Sequence, residues 1–264
     1  MPWLEFDSLV NARDLGGTPC VDGGEIVPGR LLRSDNLQDL TEADVAQLLE
    51  LGLTDVVDLR STIEVEQEGP GPLTRVPQVT IHHLSYLPEA DRKPLPEDDP
   101  GDVSSFEPER LPWVGKESSV EHDNVFAAHY LSYLKDRPEN VVAALRAIAH
   151  ADGATLVHCA AGKDRTGTTV ALALSIAGAD RDAVVADYAA SSERMQLIID
   201  RLASSETYRA NLEGRPLSSH LTHPETMAAV LGWFDAEYGG VEAGLEPLGW
   251  TEADSAALRA KLRG

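Results

Sequence analysis

A short apolar run, Ala154–Val157, leads into His158-Cys-Ala-Ala-Gly-Lys-Asp-Arg-Thr-Gly167, and the stretch behind it, Thr168–Ile176, has the periodicity of a helix. Strand, tight loop and helix in immediate succession commit a chain to an α/β layer, because the strand needs paired neighbours and the helix needs a sheet to cover. A loop of this kind can turn successive backbone N–H groups to one side, and the dipole of the following helix adds positive potential at the same point. Five residues separate Cys159 from Arg165. A guanidinium at that position fits a tetrahedral oxyanion in two-point contact. The same field favours the thiolate of Cys159, which is the nucleophilic form. The spacing points to thiol attack on phosphorus, with the backbone of Ala160, Ala161, Gly162, Lys163 and Asp164 holding the phosphate oxygens.

Other readings of these residues are weaker. Cys159 as an inert buried thiol and Arg165 as a surface charge each explain one residue, but not the glycine, the Thr-Gly and the strand–loop–helix setting together. A zinc site built on His158 and Cys159 lacks ligand spacing, and Cys20 stands alone. Lys163-Asp164 does not end a nucleotide-cradling Walker loop, which needs Ser or Thr after the lysine. No metal and no organic cofactor is implied.

The rest of the chain supplies a frame. Arg30–Ser34, Thr54–Leu59 and Val79–Leu84 read as strands, and Thr41–Leu51 between the first two has helical spacing with Thr41 as N-cap. With Ala154–Val157 they predict a central, mainly parallel sheet flanked by helices, in one domain spanning 1–264. The nucleophile then lies beyond the carboxyl end of a strand, where open α/β sheets place ligands. Residues 88–122 are rich in Pro, Asp, Glu and Ser and read as an acidic surface insertion anchored by Trp113. Helices are expected over Val125–Leu134, Asn140–Ala149, Arg181–Ala190, Pro224–Tyr238 and Thr251–Leu262. Between them, 191–223 reads as a packed helix pair of mixed polarity.

Forty-four acidic residues against 22 basic ones give a formal charge of −22, which argues against nucleic acid and against a broad basic face for anionic membranes. No apolar run approaches membrane-spanning length, and the first ten residues lack the pattern of a signal peptide. Two distant cysteines give no disulfide framework. The cytoplasm is the expected location, with export by a route lacking a cleaved signal left open. Oligomeric state is not legible.

The loop resembles the signature of the cysteine-dependent phosphatases, in the form found in bacterial protein-tyrosine phosphatases of the mycobacterial B type. Asn11-Ala-Arg-Asp-Leu-Gly-Gly17, Gly29-Arg-Leu-Leu-Arg-Ser34 and Asp55-Val-Val-Asp-Leu-Arg-Ser61 resemble that family's N-terminal signature and its first two core strands. The resemblance implies the cysteine-phosphatase fold, with residues 191–223 forming a C-terminal helical lid over the site. It implies a phosphoprotein substrate, with phosphotyrosine foremost and phosphoserine, phosphothreonine and phosphoinositide also open.

The expected chemistry is two in-line displacements through a cysteinyl-phosphate. Thr166 could donate its hydroxyl to the sulfur in the second step. Leaving-group protonation needs a carboxylic acid, and Asp164 and Asp58 compete for that role, with Asp164 slightly ahead. Asp58 could instead bridge to Arg60, and Asp164 could steady Arg165. Lys163 could add a cation for a second phosphate, or pair with a carboxylate. Two other classes remain: a phosphate-binding module without turnover, and a sulfurtransferase of the rhodanese kind. The retained Cys159 and Arg165 argue against the first, and Lys163-Asp-Arg-Thr166 against the second.

Overall fold

The computed structural model describes residues 3–69, 71–88, 111 and 117–264. Five strands form one sheet: β1 (Arg13–Asp14), β2 (Leu31–Ser34), β3 (Leu53–Asp58), β4 (Thr80–His83) and β5 (Ala154–His158), in the order β1-β2-β5-β3-β4. β2, β5, β3 and β4 pair in parallel, and β1 adds an antiparallel edge. The expected α/β sheet is present, with β5 at its centre. Ser34 and Asp58 both pair with His158, so three strands end in line immediately before Cys159.

Eleven helices are described: α1 (Glu42–Glu50), α2 (Thr62–Glu68), α3 (Val125–Asp136), α4 (Pro138–His150), α5 (Asp164–Ile176), α6 (Arg181–Ala190), α7 (Met195–Ser204), α8 (Glu206–Leu212), α9 (Pro224–Tyr238), α10 (Val241–Leu245) and α11 (Glu252–Arg263). Alternation along the strands divides the interior in two. Leu31, Val57 and Val157 face a large core with α3 to α6 and α9 to α11, whereas Leu32, Val56 and Leu156 face a smaller one closed by Leu48 of α1, Leu40 and Leu73. α7 and α8 belong to neither core. The expected N-cap at Thr41 is a complete capping box, with Asp44 N–H donating to the Thr41 hydroxyl at 3.1 Å.

Several elements differ from the sequence expectation, among them the short β1 and α10, which it does not include. α5 begins at Asp164 rather than Thr168, because a polar first turn containing Gly167 hides the apolar period. α2 is not anticipated either, since Thr62-Ile-Glu-Val-Glu-Gln-Glu68 has only two apolar residues and shows no helical apolar period. The 88–122 insertion, Trp113 included, falls largely outside the described residues; Leu111 is buried beside Ala160 and Tyr208.

A buried ion cluster joins the edge of the sheet to α6. Arg13 Nε donates to Asp187 Oδ1 at 2.9 Å, and Arg33 Nη1 donates to Asp187 Oδ2. All three residues are at most 2% exposed. Burial and the neighbouring Arg33 push Arg13 down to about 10 against the pull of Asp187. Burial alone would raise the Asp187 carboxyl, but Arg33 and Arg13 outweigh it and hold the group below its ordinary value. Asp187→Ala would strand two guanidinium charges in the interior, so a loss of about 3–5 kcal/mol is expected, read as a lower urea midpoint.

Candidate active site

The loop from Cys159 to Lys163 is held by its carbonyl oxygens. Asn36 N–H donates to Ala160 O at 3.0 Å, Asn11 Nδ2 to Ala161 O at 2.8 Å and to Gly162 O at 3.2 Å, and Arg33 Nη2 to Gly162 O at 2.6 Å. Among the described residues, no protein acceptor takes a hydrogen bond from the backbone N–H groups of Ala160 to Asp164. A row of carbonyls bonded to the scaffold, with unbonded amides beside them, is a preformed anion cradle. Gly162 makes the turn possible: its φ is +65°, and a Cβ there would lie 2.3 Å from Ser34 O. His158 is buried, with Nδ1 3.3 Å from Cys159 O and Nε2 3.5 Å from Asp58 Oδ1. Burial, against the pull of Asp58, pushes His158 down to about 4, so the ring is neutral at pH 7.

Arg165 is fixed before any phosphate arrives. Its Nη1 donates to Glu64 Oε2 at 2.7 Å and its Nη2 to Glu64 Oε1 at 3.0 Å. Glu64 is itself placed by a capping box at the start of α2, accepting from Ser61 N–H at 2.7 Å and from the Ser61 hydroxyl at 2.9 Å. The bidentate bond holds the guanidinium plane by one edge. Burial works against the charge on Arg165, but the Glu64 carboxylate and the nearby Cys159 raise its pKa well above the ordinary value. Glu64 was missed by sequence reasoning. Ser61-x-x-Glu64 is a legible capping pattern, although nothing in it names Arg165 as the partner.

Above the loop lies a cavity of about 660 Å³. Ala160, Lys163, Asp164 and Arg165 form one wall, and Tyr130, Tyr133 and Phe126 of α3 form another. Leu202 of α7, Tyr208 and Leu212 of α8, Arg215 and His220 close the remaining side. Cys159 is 2% exposed, and Thr166 is fully buried with no hydrogen-bond partner for its hydroxyl among the described residues. Cys159, Ala161, Gly162 and Thr166 thus lie behind the lining side chains. Three cations, Lys163, Arg165 and Arg215, line this cavity together with the acids Asp164 and Glu117.

The 191–223 segment is helical, as expected, and it docks by polar contacts. Arg201 Nη1 pairs with Asp35 at 2.6 Å, the Tyr208 hydroxyl donates to Glu64 Oε1 at 3.2 Å, and Lys163 Nζ donates to His220 O at 2.7 Å. Lys163 therefore bonds to the segment's backbone and stands 3.7 Å from Asp164 Oδ1.

The two candidate acids are in different places. Asp164 lines the cavity, its side chain 32% exposed. Burial raises its pKa, but Lys163 and the Tyr130 hydroxyl outweigh this and hold it below the ordinary carboxylate value. Asp58 does not line that cavity. It is buried at the end of β3 and bound to Arg60 Nε at 2.9 Å, beside a separate small hollow of about 130 Å³ shared with His158 and His83. Burial would raise Asp58, yet His158 and the Arg60 hydrogen bonds hold it far below the ordinary value. Asp14 accepts from Gly16 and Gly29 N–H at 2.8 Å each and so ties the loop between β1 and β2.

Removing the Glu64 carboxylate takes away the two-point brace on the Arg165 fork, whose Nη1 keeps a 3.2 Å bond to Leu59 O. Glu64→Ala is therefore expected to lower kcat on an aryl phosphate by roughly 10²-fold, the scale seen when one oxyanion donor is lost.

Residues 4–264 match the model of the tyrosine phosphatase family. The chain is 31% identical to the triple specificity protein phosphatase PtpB of Mycobacterium tuberculosis, over 98% of this chain and 99% of that one. It is 28% identical to a tyrosine-protein phosphatase of Nostoc commune, over 93% of this chain and 78% of that one. The match over residues 4–264 and the 31% identity over nearly the whole length show that the chain belongs to the tyrosine phosphatase family.

Proposed function

We propose that Cys159 and Arg165 carry out phosphomonoester hydrolysis in two in-line displacements. The Cys159 thiolate attacks phosphorus, the ester P–O bond breaks, and the leaving oxygen takes a proton from Asp164. Water then attacks the cysteinyl-phosphate, giving its proton back to Asp164, and the thiolate departs as inorganic phosphate is released. The amides of Ala160 to Asp164 and the Arg165 fork stabilise the equatorial oxygens throughout. The Thr166 hydroxyl, buried and unbonded on the first turn of α5, is available to the departing sulfur.

The observation that carries this reading is the bonding of the loop carbonyls to Asn36, Asn11 and Arg33, which leaves the amides for the phosphate. Asp164 is the acid in this scheme because it lines the cavity, whereas Asp58 braces His158 and Arg60. In the empty site Asp164 is ionised; an entering phosphate dianion raises its proton affinity, which supplies the acid when it is needed. Residues 191–223 act as a lid that opens to admit substrate. The aromatic wall of the cavity favours phosphotyrosine, and Lys163 and Arg215 offer cations for phosphoinositide headgroups.

Hydrolysis of an aryl phosphate by wild type and Cys159→Ser, with chelator present, tests the chemistry. Activity lost only in the variant and indifferent to chelator is expected; inactive, reduced and folded wild type would favour a binding module. Asp164→Asn is expected to slow esters with poor leaving groups far more than activated ones. Asp58→Asn should lower both alike.

A further inference from the structure

The side chain behind Asp164 is as specific as the loop in front of it. Tyr130 of α3 is 1% exposed, and its hydroxyl donates to Asp164 Oδ1. The same hydroxyl is 2.9 Å from that of Tyr188 on α6. An ionised carboxylate can only accept. Each hydroxyl has one proton, so the pair runs one way: Tyr188 donates to Tyr130, and Tyr130 donates to Asp164. With the Tyr130 proton committed to Oδ1, the remaining oxygen, Oδ2, has no hydrogen-bond donor among the described residues.

We infer that Tyr130 is a positioning residue for the reaction: its hydroxyl occupies Asp164 Oδ1 and so directs the catalytic proton onto Oδ2, the oxygen left for the leaving group. The inference rests on the reading of Asp164 as general acid. The covalent chemistry is unchanged; Tyr130 keeps its own proton, and the proton transferred is the one on Asp164. Other groups also face this carboxyl: Lys163 at 3.7 Å and Arg165 from its own segment, His129 and Tyr133 from α3, and His220 from the 191–223 segment. None of them is bonded to it as Tyr130 is.

The test is the pH dependence of kcat on an alkyl or other poor-leaving-group phosphate, for wild type, Tyr130→Phe and Asp164→Asn. Phenylalanine keeps the ring and removes only the donor. A donated hydrogen bond stabilises the charged carboxylate, so its loss raises the proton affinity of Asp164. The basic limb should then move up by roughly half a pH unit. kcat for poor leaving groups should fall several-fold while activated aryl esters change little, because the acid is no longer aimed. Tyr188→Phe, which loosens Tyr130 without touching Asp164, should move the limb the same way by less, and it serves if Tyr130→Phe fails to fold. A purely structural role would lower all substrates equally and leave the limb in place, and that result overturns the inference. Asp164→Asn separates the two readings. If it leaves limb and leaving-group dependence intact, the acid assignment fails and takes the inference with it. If it removes both while Tyr130→Phe matches wild type, only the role of Tyr130 falls.

Discussion

The structure depends on where the carbonyls of one loop point. A chain that turns several amides to one side must send the matching carbonyls to the other, and buried carbonyls without donors cost about as much as lost hydrogen bonds. Asn36, Asn11 and Arg33 answer that need from three places in the first part of the chain. Arg33 can do so only because Asp187 compensates its charge, and Arg13 completes the cluster. The anion cradle is thus one face of an arrangement whose other face is a desolvated ion cluster in the sheet edge.

A second constraint comes from Glu64. Bonding both outer nitrogens of Arg165 limits the swing of a long side chain, so little ordering remains when phosphate binds. The same carboxylate accepts from Tyr208 of α8, which ties the position of the helices over the cavity to the group that holds the arginine. Asp164 is treated similarly from the opposite wall by Tyr130. Arg165 and Asp164 are thus each steadied by a partner on the protein side, Glu64 for one and Tyr130 for the other.

Much of this was legible in the residues. The strand–loop–helix frame, the order of the parallel strands' positions along the chain and the Thr41 cap follow from apolar period and capping chemistry, which act over a few residues. Cys159 and Arg165 were legible because they share one loop. Glu64, Asn36 and Tyr130 were not, since each meets the loop across a large sequence separation and only folding brings them together. Asp58 shows the converse. Its motif at a strand end suggested the pocket, but strand pairing with His158 placed it beneath the loop, where Arg60 claims it. The first turn of α5 was obscured because phosphate binding demands polar residues and glycine where helix periodicity would be read.

The carbonyl clamps also set an order of events during synthesis. The thiol is present once residue 159 has been made, and so are Asn11, Arg33 and Asn36, which clamp the loop that follows. Asp187, which compensates Arg33 and Arg13, and Ser191, which Arg13 Nη2 and Asn11 Nδ2 approach at 3.2 Å and 3.4 Å, come later. A chain that has passed Arg165 but not Asp187 carries the whole signature, with Arg33, which bonds Gly162 O, and its neighbour Arg13 still lacking their carboxylate. The clamp on Gly162 thus depends on α6, a helix made after the loop that it helps to hold.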